Sequence, residues 1–72
     1  MQAEAKVKAE IEAVKEEIKS NKYWISYYED MAMLNKGEDD DAYKSYKDTA
    51  KRLRKNNKLL RGQIQGLKWV LA

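Results

Sequence analysis

The chain has 72 residues and a net charge of +3, and 38% of its residues are charged. It contains neither Cys nor His, which excludes a disulfide framework, a thiolate metal site and the commonest general base. It also lacks Pro, and no apolar run reaches the roughly 20 residues that a membrane-spanning helix requires. We therefore expect one small helical domain, cytoplasmic and without a membrane partner.

Apolar residues in the first half of the chain recur at alternating spacings of four and three. This period is the heptad pattern of a helix that packs against another helix along a narrow seam, and it predicts a first helix over about residues 2–35. The apolar seam positions are Val7, Ile11, Val14, Ile18, Ile25, Tyr28 and Ala32, and Asn21 interrupts them.

The segment "NKGEDDD", residues 35–41, predicts a turn. Lys36 and Gly37 suit a helix C-terminus, because a cation favours that end of the helix dipole and Gly adopts the left-handed conformation. The acids that follow suit the N-terminus of a second helix, where carboxylates cap free N–H groups. Capping explains them better than a metal site, because the alternating ligand spacing of a calcium loop is missing. We expect the turn at about residues 36–40 and the second helix at about 41–71.

The second half repeats the heptad pattern, and a turn near residue 39 aligns the two seams. The second seam consists of Tyr43, Tyr46, Ala50, Leu53, Leu60, Ile64, Leu67 and Leu71, and Asn57 interrupts it. An antiparallel hairpin then sets Asn21 opposite Asn57. One such pair inside an apolar seam disfavours slipped alignments, because slippage would leave each amide against hydrocarbon. The alternative is that both are half-exposed polar residues that do not pair.

The predicted fold is all-α, a single antiparallel two-helix coiled-coil hairpin over residues 1–72. A lone hairpin buries only one narrow seam, and small domains bury too little apolar surface to be strongly stable. We therefore expect the hairpin to dimerise into a four-helix bundle.

One flank of the seam is basic on both helices, so the expected alignment brings like charges together. Coiled coils usually place complementary charges at these positions, and here only Glu29 and Lys47 are placed for an ion pair. This basic edge consists of Lys8, Lys15, Lys22, Lys44, Lys47, Lys51, Arg54, Lys58, Arg61 and Lys68. A row of cations predicts a docking edge for an anion, either a polyphosphate or an acidic protein. The alternative is a solvated face that serves only solubility.

The opposite flank carries a second apolar stripe, which predicts an oligomer or partner contact. The stripe consists of Trp24, Tyr27, Met31, Leu34, Leu59, Gly62 and Gly66. A Gly inside a helix costs about 1 kcal/mol relative to Ala, so close approach of another helix would explain Gly62 and Gly66. The alternative is two incidental glycines near a fraying end.

The sequence contains no constellation for catalysis and none for a cofactor or a metal, because its serines have no His to activate them. We expect a non-enzymatic protein that self-associates, as a homodimer or higher, and that binds or inhibits a larger, unidentified protein. Such a chain would suit a small bacterial or bacteriophage regulator. The alternative is nucleic-acid or nucleotide binding through the basic residues between Lys44 and Lys68, with DNA, RNA or a phosphodiester as the ligand.

Overall fold

The computed structural model describes residues 2–71, so the ends of the expected domain, residues 1 and 72, lie outside it. The described residues form two helices, α1 at Gln2–Asn35 and α2 at Asp40–Leu71. The helices pack against each other as an antiparallel hairpin with extents of 56 × 14 × 12 Å. The two-helix, all-α prediction is confirmed, and α2 begins one residue earlier than expected.

The turn joins the helices through the chemistry that its residues favour. Gly37 has a φ of 82°, in the left-handed region that Gly enters without a steric penalty. The carbonyl of Asn35 at the end of α1 accepts hydrogen bonds from the backbone N–H groups of Glu38 and Asp39, at 3.1 and 3.0 Å. The carboxylate of Asp39 then accepts from the N–H of Ala42 at 3.0 Å, so Asp39 is the N-cap of α2.

The core is a single seam between the helices. Its buried apolar residues include Ile11, Val14, Ile18, Ile25 and Ala32 of α1, and Ala50 and Leu60 of α2. Val14, Ile18 and Leu60 form one cluster with the half-buried Ile64. These are the contacts of a hairpin in which Ile18 lies opposite Leu60. Within residues 2–71, neither helix has a stretch long and apolar enough to cross a lipid bilayer.

Two buried amides lie in the middle of this seam. Nδ2 of Asn21 donates a hydrogen bond to Oδ1 of Asn57 at 2.9 Å, and Nδ2 of Asn57 donates to the carbonyl of Ile18 at 3.3 Å. Asn57 is only 2% exposed. Since an unpaired buried amide is costly, this contact favours one alignment of the helices and thereby fixes which residues lie on each flank.

Candidate interaction surfaces

The basic flank contains a groove between the helices that is lined by cations. Lys22 of α1 and Arg54, Lys58 and Arg61 of α2 line it, together with Ile25 and Asn57. The groove has a volume of about 450 Å³, and all four cationic side chains are exposed. None of the lining residues among those described is acidic. We call Lys22, Arg54, Lys58 and Arg61 the basic groove.

The rest of the predicted basic edge is exposed as well, but part of it has acidic partners that the sequence analysis missed. Nζ of Lys8 lies 3.2 Å from Glu4, and Nζ of Lys15 lies 3.5 Å from Glu12. Both acids are on α1, three or four residues before the lysine, which is the ordinary spacing of helix-surface pairs. The expectation of an edge without counter-charge was therefore wrong for the N-terminal half of α1.

The expected ion pair between Glu29 and Lys47 was also wrong. Glu29 pairs with Arg54, and Nζ of Lys47 lies 5.3 Å from the centre of the Tyr43 ring. The reason is that helical side chains lean toward the N-terminus of their own helix. In this antiparallel pair Glu29 and Arg54 lean toward each other, whereas Glu29 and Lys47 lean apart.

The opposite flank exposes large apolar side chains next to the turn. Trp24 and Tyr27 are each 43% exposed, and Leu34 is 70% exposed, while Met31 is half-buried. We call these four residues the aromatic face. The rings of Trp24 and Tyr27 pack edge to face, with centroids 5.6 Å apart. Tyr28 extends the cluster into the seam, where it stacks on Tyr46 at 6.1 Å.

The remaining residues of the predicted stripe lie in the other half of the hairpin. Counting from the Asn21–Asn57 pair, Leu59 is level with Lys19, and Gly66 is level with Glu12. Leu59 is 67% exposed. A Cβ added at Gly62 or at Gly66 would have no heavy atom within 4 Å. The hairpin therefore does not bring the aromatic face and the glycines together, and no close approach within residues 2–71 explains the glycines.

The acidic run at the turn has a structural role through the Asp39 cap. Among residues 2–71 no group of three or more acidic side chains is arranged to hold a metal ion.

No protein-family model matches the chain, and neither a curated protein nor a solved structure is significantly similar to it.

Proposed function

We propose that the chain is a small non-enzymatic interaction protein whose first partner is a second copy of itself, in a four-helix bundle. The observation that carries this proposal is the exposure of large apolar side chains along one flank, from Trp24 and Tyr27 to Leu34 and Leu59. Water-exposed apolar surface of this extent favours association, because its burial releases about 25 cal/mol for each Å².

The shape of this flank favours a head-to-tail pair. The half next to the turn is bulky, with Trp24 and Tyr27, while the other half of the flank offers Ala13 on α1 and Gly66 on α2. A two-fold axis at the level of Ser20 matches the bulky half of each copy with the small half of the other. This level is close to the middle of α1, so the two hairpins overlap along nearly their full length.

This arrangement also places exposed residues in complementary positions. Leu59 lies beside the axis, where it meets Leu59 of the other copy. Tyr27 comes level with Ala13 of the other copy. Arg52 comes level with the stretch between Glu10 and Glu17 of the other copy. Arg52, Glu10 and Glu17 are all exposed and have no ion pair in the part of the chain that the structure describes. Pairing of Arg52 with these two acids across the interface would therefore add electrostatic complementarity.

Sedimentation equilibrium of the pure protein over micromolar to millimolar concentrations tests the proposal. We expect a dimer that Leu59→Lys dissociates, because two cations would face each other beside the axis. Met33→Lys is the matched control, since Met33 is 68% exposed and lies on the other flank. A strict monomer, or a Leu59→Lys variant that dimerises as well as Met33→Lys does, contradicts the proposal. If the protein is a strict monomer, the aromatic face would be a candidate contact for a different protein.

The head-to-tail orientation has its own test, because the chain has no native Cys. Ser20→Cys places a thiol beside the axis in both copies, so mild oxidation should produce a covalent dimer. Leu34→Cys places the two thiols about 40 Å apart, given a rise of ~1.5 Å per residue, and should remain uncross-linked. Cross-linking of Leu34→Cys would instead indicate a parallel dimer, in which equal levels of the two copies lie side by side.

A further inference from the structure

We propose that the basic groove is a binding site for the phosphate backbone of nucleic acid, without preference for base sequence. This inference does not depend on self-association, because the groove lies on the flank away from the aromatic face. It rests on the density of cations in the groove, on the ion pairs that bound it and on the length of the cationic row that continues from it.

The density of charge in the groove is high. In the observed alignment Lys22 lies between the levels of Arg54 and Lys58, and Arg61 lies one helical turn beyond. Four cations from two helices therefore lie within a length of about 10 Å along the rod, at a rise of ~1.5 Å per residue. Like charges this close repel each other, and an anion that enters the groove relieves that repulsion.

The ion pairs of this flank lie at the two ends of the groove. Glu29 pairs with Arg54 at the end toward the turn, and Glu12 pairs with Lys15 on the other side. Between them, Lys22, Lys58 and Arg61 have no ion pair within residues 2–71. A purely solubilising surface does not require its unpaired cations to converge, whereas an anion site does.

The shape of the surface favours a linear polyanion over a small phosphate. All the groove cations are exposed, so the groove is open to solvent. The cationic row continues on α2 in both directions, from Lys44 to Lys68, which spans about 36 Å. A polyphosphate gains by releasing condensed counterions at each such contact, and this gain grows with the length of the row.

Nucleic acid is favoured over an acidic protein by the composition of the groove. Apart from Ile25 and the buried Asn57, the described lining residues are all cationic. Protein interfaces usually have apolar, aromatic cores, whereas backbone recognition in nucleic acids relies largely on Lys and Arg contacts to phosphate oxygens.

The test measures affinity for a labelled duplex DNA, a single-stranded DNA and a single-stranded RNA at several salt concentrations. We expect affinity to fall steeply with salt. In Lys58→Gln/Arg61→Gln the slope of log K against log salt should fall by about 1.8 for duplex and about 1.4 for single strands, since two phosphate contacts are lost. The duplex and single-strand arms identify which form binds better.

The matched control is Lys6→Gln/Lys36→Gln, which lowers the net charge equally but removes two exposed lysines outside the basic edge. It should keep the slope of the unchanged protein. Equal losses in both variants, or no binding of any nucleic acid at low salt, would overturn the proposal. The proposal would also be overturned if poly-glutamate displaced the labelled nucleic acid as well as unlabelled nucleic acid of equal charge does. Sedimentation of Lys58→Gln/Arg61→Gln should match the unchanged protein, which separates this site from the dimer contact.

Discussion

The two flanks of the hairpin begin at the same seam and differ in almost every other respect. The aromatic flank exposes uncharged side chains, such as Trp24 and Leu34, in the half next to the turn. The basic flank exposes charged side chains, and its uncompensated cations, Lys22, Lys58 and Arg61, converge near the middle of the rod. Neither flank contributes more than a small part of the core.

This difference indicates how the chain divides its residues between folding and binding. The seam contains the buried apolar side chains and the Asn21–Asn57 contact, so it determines the alignment of the helices. The flanks are consequently free to carry groups that do not favour the isolated hairpin, namely exposed aromatic rings on one side and converging cations on the other. Changes in the seam should therefore affect both flanks, and changes in one flank should leave the other intact.

The largest expected effect comes from Asn21→Leu, which leaves Oδ1 of the buried Asn57 without its donor. We expect the free energy of unfolding to fall by about 1–3 kcal/mol, the cost of an unsatisfied buried polar group. Urea unfolding followed by circular dichroism, at one fixed protein concentration, measures this loss. Ser26→Leu, at an exposed position on α1, is the control and should change stability little.

The double variant Asn21→Leu/Asn57→Leu tests whether the amides determine the alignment as well as the stability. Its unfolding free energy should recover, because the seam is then apolar throughout, but the helices should occupy more than one alignment. Amide NMR spectra would contain several sets of signals for the flanking residues. A single set of sharp signals would contradict the assignment of the register to this pair.

An intermediate effect is expected from Gly66→Gln on the aromatic flank. The hairpin should become more stable by about 0.5–1 kcal/mol, because Gln is a better helix former than Gly and has open space around it. In the proposed dimer the longer side chain would obstruct the approach of the second copy. Sedimentation should therefore detect weaker association of a more stable chain, and stronger association would contradict the proposed contact.

The smallest effect on stability is expected from Glu29→Gln on the basic flank. The Glu29–Arg54 pair is exposed, so its loss should change the free energy of unfolding by less than about 0.5 kcal/mol. Arg54 would become available to phosphate, and the salt slope for duplex DNA should steepen by about 0.9. The variant thus sharpens the contrast between flanks, because binding changes while folding and association do not. An unchanged slope would exclude Arg54 from the binding edge.

Much of the fold follows from local patterns in the sequence. The heptad spacing locates both helices, Gly37 and the acids after it locate the turn, and the polar interruptions at Asn21 and Asn57 indicate the alignment. The details of the flanks were harder to predict. Glu4 and Glu12 precede Lys8 and Lys15 by four and three residues, and this spacing, which predicts ion pairs along a helix, was visible in the sequence. The Glu29–Arg54 contact could be predicted only from the direction in which helical side chains lean. Matching residues that lie at the same level of the two helices does not include that direction.

The sequence by itself determined the two helices and their alignment. Helix periodicity and capping depend on short stretches of sequence, and the alignment follows because Asn21 and Asn57 lie at equal distances from the turn. Only the tertiary structure decided which charges meet, since that depends on the lean of long side chains across two antiparallel helices. It also decided that Gly62 and Gly66 border open space within the described part of the chain, since both lie at exposed positions of α2 where an added Cβ would have no heavy atom within 4 Å.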